Sequence, residues 1–394
     1  MKKLRYFIKK AVTDSFIIWR TELKNIYKDI GVIIFFIIVP VVYPLIYGLI
    51  YNTENMKEVP FIVVDESRTS SSREFVHLMD ASPEVKLYAY ASTMEEARML
   101  VDNKKAYGIL QIPSGFSKNI HRGEQTRLIL YCDMSGLLFY KALLLSSTEA
   151  SFKMAENIRI NTSNMTIPYK SVAMYNTQSG FASFLLPGIL ILVIQQTLLL
   201  GISMLTATTR ERNQGQLVPQ DSIHDGVIRI VFGKGLAYMT VYIFICLWAF
   251  ILVPKIFNLP QISQFGNILL FSLPYLLACV FFAMFIATFI RGRETPMMIL
   301  VFTSLPLLFL SGISWPLSAV PETWRYFSYL FPSSFGIQGF VKLNSMGASL
   351  SEVDFEYQIL WIQTAVYLIA TFTVYWIRLT KNRYDYPLKV KDGD

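Results

Sequence analysis

The sequence predicts an α-helical polytopic membrane protein with six transmembrane helices and an inserted α/β extracytoplasmic domain. Three observations predict it. Of 394 residues, 53% are hydrophobic and only 16% charged, against about 25% charged in an ordinary soluble domain. Apolar runs of about 20 residues, long enough to cross a hydrocarbon core, recur along the chain. Between the first and second of them lies 52–180, of mixed charge and with no run that could span. The net charge of +8 points away from a nucleic-acid partner, because many basic residues gather beside the apolar runs, as the positive-inside rule expects.

Residues 1–29 are basic, with Leu4, Phe7, Ile8, Val12, Phe16, Ile17, Trp19 and Leu23 recurring mostly at spacings of three and four. That pattern predicts an amphipathic helix lying in the membrane interface on the cytoplasmic side. Lys2, Lys3, Arg5, Lys9 and Lys10 would then face anionic headgroups. A basic tail that only sets orientation is the plainer alternative. The basic part is too long for a cleavable signal peptide, and no small-residue cleavage site follows the apolar run. The first span is 30–51, with Pro40 and Pro44 expected to kink it.

Within 52–180, strand-like and helix-like pieces alternate. Pro60–Asp65, Val85–Tyr90, Tyr107–Pro113 and Thr126–Asp133 read as strands; Ser71–Met79, Met94–Asn103 and Leu137–Ile160 read as helices. One span precedes this domain, so a cytoplasmic N-terminus places it outside.

The second span is Phe181–Thr206, with Gln195 and Gln196 near its middle. Polar residues at depth face the bundle interior. They either hydrogen-bond between helices, for about a kcal/mol, or line a polar pathway. Residues 207–234 form the longest inner loop and carry the charged stretch Arg210, Glu211, Arg212 with Gly215. The third and fourth spans are Leu236–Pro254 and Gly266–Ile290, and Arg291–Glu294 is a tight inner turn. The fifth begins at Pro296. Residues 311–340, rich in Pro, Trp and Tyr, read as a re-entrant or interfacial helix pair on the outer side, or as an outer loop with an aromatic belt. Tyr357–Ile377 is the sixth span. Arg378, Lys381 and Arg383 follow it and favour an inner C-terminus.

No catalytic centre is legible. The chain has no GxxxxGK[ST] phosphate loop, no GxSxG elbow and no HExxH pair. Cys132, Cys246 and Cys279 form no metal or disulfide pattern. The spans hold essentially no Asp, Glu or Arg, which disfavours an ion-coupled carrier. Energy for any transport must therefore come from a partner. A membrane-anchored sensor or assembly factor, whose outer domain binds a ligand or partner, is the competing class. It is disfavoured because the inner material is only loops and tails.

Four stretches resemble the permease subunits of ABC type-2 exporters, in the branch with a large extracytoplasmic domain between the first two spans. They are Pro60–Thr69 (PFIVVDESRT), Glu95–Phe116, Arg210–Leu217 with Gly233 and Lys234, and Leu310–Pro316 (LSGISWP) with Pro321 and Leu330–Pro332. They keep the family's order across nearly the whole chain. Asn213 and Gln216 depart from the family's inner loop, where an acid and a Thr are usual, which removes support for one ion pair with the ATPase but not for docking.

The resemblance implies a bacterial inner-membrane permease with both termini cytoplasmic and no cofactor of its own, ATP being used by a separate cytoplasmic ABC ATPase subunit. It implies pairing with a second copy or a related permease, and a periplasmic adaptor as a further partner. Arg210, Glu211, Arg212 and Gly215 would couple to the ATPase. Leu310, Ser311, Gly312 and Pro316 would form an outer gate, and Gln195 and Gln196 would line the pathway. The apolar pathway suits a drug-like or lipid-like substrate.

Overall fold

A computed structural model describes residues 2–51, 56–134, 136–161, 180–218 and 226–385. The side chains of residues 2–9, 158–161, 181 and 381–385 lie outside that description, so the expected headgroup contacts of Lys2, Lys3, Arg5 and Lys9 and the placing of the Arg383 side chain fall beyond it. The chain divides into two compact units, one made of 1–52 with 182–394 and the other of 53–181.

The second unit is a four-stranded sheet between helices. Its strands are β1 (Val59–Asp65), β2 (Val85–Tyr90), β3 (Gly108–Ile112) and β4 (Ile129–Cys132), in the order β2-β1-β3-β4. β1 runs parallel to β2 and β3, whereas β3 and β4 are antiparallel. Alternation along β1 sends Phe61 and Val63 to one face and Ile62 and Val64 to the other, and each pair joins a separate buried cluster. β1 is therefore buried on both faces, as a parallel strand between helix layers must be.

The loop after β1 explains the Val-Asp-x-Ser stretch. Asp65 accepts from the Ser67 and Arg68 backbone N–H groups at 3.0 and 2.9 Å and from Ser72 Oγ at 2.7 Å. Thr69 then caps the helix Ser70–Asp80 in a capping box with Ser72. Met94–Asp102 and Leu137–Asn161 are helical as expected, and a short helix, Phe116–His121, was not anticipated. Gly108 is needed where it stands, since a Cβ there would come within 2.6 Å of Leu143.

In the first unit, helix α1 (Lys2–Lys28) precedes α2 (Ile30–Ile50). The other long apolar helices are α3 (Phe181–Arg212), α4 (Val227–Ile256), α5 (Phe265–Ala287) and α6 (Asp354–Asp385). Among the described residues, five helices are thus long and apolar enough to cross a membrane. Thr295–Leu310 is apolar but has only 16 residues, about 24 Å at the usual helical rise. α3 is the hub: nearly all of its apolar length is buried, and Leu190, Ile194, Leu198 and Ile202 belong to the main core.

Two of the prolines, Pro40 and Pro254, follow a local widening of the helix, whereas Pro44 lies inside regular helix. α2 forms a π turn over Ile34–Ile38, just before Pro40, and α4 forms one over Trp248–Leu252, just before Pro254. Proline supplies no N–H to the ladder, and a single π turn is a common way to take up that defect. Phe36, on the first π turn, is fully buried. It lies over Gly201 of α3, where a Cβ would sit 2.1 Å from the ring, and edge-on to Tyr242 with ring centroids 4.7 Å apart.

Three expected boundaries change. α3 runs to Arg212, so the inner loop expected over 207–234 begins only at Asn213, and its centre, 219–225, lies outside the described residues. α4 begins at Val227 rather than Leu236 and includes Arg229 and Lys234. The α4 extension is possible because Arg229 and Lys234 find buried carboxylate partners and need no bulk water. The segment 311–340 is largely helical: Glu322–Ser328 is a short helix, and Pro332–Met346 is buried over most of its length.

Candidate functional site

The charged stretch after the second span is not one surface. α3 has 32 residues, about 48 Å of helix against a hydrocarbon core of about 30 Å, so its charged end can clear the core. Glu211 and Arg212 are exposed there, whereas Arg210 is 8% exposed. The Arg210 guanidinium turns inward and donates from Nη1 to the Ile290 carbonyl at 2.7 Å and from Nη2 to the Thr288 carbonyl at 2.5 Å. It therefore caps the end of α5, where free carbonyls carry the negative end of the helix dipole.

The chain leaves α3 through two left-handed residues, Gln214 (φ 53°) and Gly215 (φ 89°). The Gly215 N–H closes the turn on the Arg210 carbonyl at 2.8 Å. Nothing lies within 4 Å of a Cβ built on Gly215, so the glycine answers to backbone conformation and not to crowding. The turn borders a cleft of about 430 Å³ lined by Arg210, Glu211, Gly215, Gln216, Leu217, Arg291 and Arg378.

A second charged feature was not anticipated. α1 carries Asp14, Ile18, Glu22 and Ile26 at intervals of four, hence on one face, and all four are buried. Asp14 pairs with Arg229 at 2.6 Å and Glu22 with Lys234 at 3.4 Å. Tyr238 donates its hydroxyl to Glu22, and Trp19 donates to Thr240 Oγ1 at 3.1 Å. Gly233 lets the helices approach, because a Cβ there would lie 2.8 Å from the Ser15 carbonyl oxygen. The signal was present: two acids eight residues apart within a basic helix, in phase with Ile18 and Ile26. Their partners stand more than 200 residues away and could not be paired by spacing.

Asp29 joins α1 to α2 and extends the seam. Its carboxylate accepts from the Gly31 and Val32 N–H groups at 3.1 and 3.4 Å, capping α2. It also meets Arg293 at 2.5 Å and Thr208 at 3.2 Å. Burial alone would raise the Asp29 carboxyl. The Val32 N–H, the charge of Arg293 and the Thr208 hydroxyl outweigh that and hold it below its usual value.

Deeper in the unit, Gln195 Oε1 accepts from the Ser333 N–H at 2.6 Å, at the start of helix Pro332–Met346. Gln196 Nε2 donates to Thr303 Oγ1 at 3.2 Å. Gln195 Nε2 and Gln196 Oε1 are buried with no partner among the described residues. The two glutamines thus address different helices. Of the residues expected at an outer gate, Leu310 ends its helix and Ser311, almost fully buried, donates to the Leu308 carbonyl at 2.6 Å. Gly312 is left-handed at φ 89°, and Pro316 precedes the 3-10 turn Leu317–Ala319. Ile313 fills the space over Gly188 of α3, where a Cβ would sit 1.6 Å from its Cδ1. Among the described residues no group of three His, Cys, Asp or Glu could hold a metal ion.

Residues 30–377 match the family described as ABC-2 family transporter protein. No curated protein matches the chain. The chain belongs to the ABC-2 family: it is a membrane permease component of an ABC transporter.

Proposed function

We propose that this ABC-2 chain is the permease half of an ATP-driven exporter, moving a hydrophobic or amphipathic substrate, drug-like or lipid-like, out of the cytoplasm or inner leaflet. A separate cytoplasmic ATPase supplies the energy. Thr295–Leu310 serves as the sixth span, both termini are cytoplasmic, and the α/β unit faces outward in a bacterial inner membrane. Two such subunits pair. Leu310, Ser311, Gly312 and Pro316 form the outer gate, and a periplasmic adaptor receives the substrate.

The observation that carries the reading is the buried seam between α1 and α4. Acid–base pairs at Asp14–Arg229 and Glu22–Lys234 make α1 move with α4. The other side of α1 exposes Val12, Phe16 and Tyr27 beside Arg20, Lys24 and Lys28, along a groove, a composition suited to the bilayer interface and to a docked protein. A push on α1 therefore reaches a spanning helix without crossing a loop. Glu211, Arg212 and Gly215 offer a second docking point, and Arg210 anchors that point to α5. Gln195 and Gln196, each with one polar atom that has no partner among the described residues, line the pathway.

The test is charge reversal at the exposed pair, Glu211→Arg with Arg212→Glu, followed separately for membrane insertion and for co-purification of a stimulated ATPase. Normal insertion with loss of the ATPase is expected. Normal insertion with the stimulated ATPase retained overturns the coupling role.

A further inference from the structure

Three arginines converge on the cleft at the end of α3, and no carboxylate pairs with any of them among the described residues. Arg210, Arg291 and Arg378 line it together with Glu211, and Arg291 and Arg378 are the like charges that act on Arg210. None of the three takes part in an ion pair of the kind that holds Arg229, Lys234 and Arg293. Arg210 spends Nη1 and Nη2 on carbonyls, and its buried Nε has no partner. Arg291 and Arg378 are exposed. Around about 430 Å³ of open space lined by one acid, the exposed Arg291 and Arg378 can donate to an anion with several acceptor oxygens, Arg210 adds its buried charge behind them, and planar guanidinium groups suit phosphate in particular.

The surroundings choose the source of that phosphate. Phe289 is two residues from Arg291, and Trp376 and Ile377 immediately precede Arg378; all three apolar side chains are more than half exposed. Exposed apolar surface beside arginines that no carboxylate pairs among the described residues, at the ends of membrane-crossing helices, matches a lipid with its headgroup in the cleft and its chains alongside the protein.

We propose that this cleft binds the phosphate headgroup of an anionic phospholipid from the inner leaflet. The site rests on the topology proposed above but not on the transport activity, so its failure and that of the exporter reading are distinguishable. A bound anion would neutralise Arg291 and Arg378 and steady the junction of α3, the α5 end and α6, next to the turn that ends at Gly215.

The experiment is native mass spectrometry and thermal shift on the full chain in detergent, titrated with phosphatidylglycerol, phosphatidylcholine or inorganic phosphate. Phosphatidylglycerol is expected to bind and to raise the melting temperature, with phosphatidylcholine much weaker. Arg291→Gln with Arg378→Gln should weaken phosphatidylglycerol by about 30-fold, from about 1 kcal/mol per arginine near an anionic headgroup. Glu211→Gln should tighten it, which a folding defect cannot mimic. Equal binding of both lipids, or an unchanged affinity in the double variant, overturns the site. Inorganic phosphate binding as tightly as the lipid would show a soluble-phosphate site and overturn the lipid assignment.

Discussion

Glu22 and Lys234 meet at 3.4 Å with each side chain only 5% exposed. Removing one partner strands a charge, which costs about 3–5 kcal/mol, whereas replacing both with apolar residues of similar size is often neutral. Lys234→Met alone should therefore lower the melting temperature of the purified protein sharply. Glu22→Leu with Lys234→Met should recover most of the loss, and a double variant no better than the single one would count against the pairing.

Arg210 and its neighbours should separate by assay. Arg210→Ala leaves the Thr288 and Ile290 carbonyls without their donor, at about 1–3 kcal/mol for each group left buried and unsatisfied. Glu211→Ala and Arg212→Ala remove exposed charges and should change stability by no more than about 0.5 kcal/mol. Thermal melts of the three variants side by side check this, and equal losses at all three would contradict the inward turn of Arg210.

Asp29 sets an acid limit. Its folded carboxyl lies below the ordinary value of 3.8, so the stability it contributes is fully present above that value. It is lost as pH falls through the lower, folded one. The difference in stability between the natural chain and Asp29→Asn should hold steady from pH 8 to about pH 5 and shrink below about pH 4. Melting curves across that range measure it, and a difference that grew on acidification would refute the sign.

Asp65 holds the first turn of the α/β unit. Asp65→Ala removes the acceptor for two backbone N–H groups and the Ser72 hydroxyl and should cost about 2 kcal/mol. Asp65→Asn, which keeps one acceptor oxygen, should cost less. Limited proteolysis within 53–181 reads both.

Gly233 sits under α1. Gly233→Val puts methyl groups against the Ser15 carbonyl and Ile18, and such overpacking typically costs about 1–3 kcal/mol. The valine chain should lose protection of α1 in hydrogen exchange, and protection equal to that of the natural chain would count against the close approach of α1 to Gly233.

The sheet unit was largely legible because its signals are local. Val59–Asp65 and Val85–Tyr90 are short apolar or alternating runs between polar breaks, and both were found within a residue. Helix Phe116–His121 escaped because six residues after Pro113, Ser114 and Gly115 look like loop; only Phe116 is buried. The spans were legible in their apolar middles and misread at their ends. Arg229 and Lys234 looked like loop residues because charge alone says water, and the acids that admit them to the packed interior lie on α1. The inward turn of Arg210 depends likewise on carbonyls about 80 positions away. The sequence pattern marked where charge stood; only the fold shows whether that charge faces a partner or the solvent.

The two π turns have a consequence for how such a chain can change length. A π turn is one residue wound into a helix beyond its regular count, taken up locally so that the segments on either side keep their azimuth. Ile34–Ile38 and Trp248–Leu252 are therefore expansion joints. At these two places a residue can be deleted without rotating the rest of the span, whereas a deletion elsewhere in α2 or α4 would swing every later side chain by about 100°.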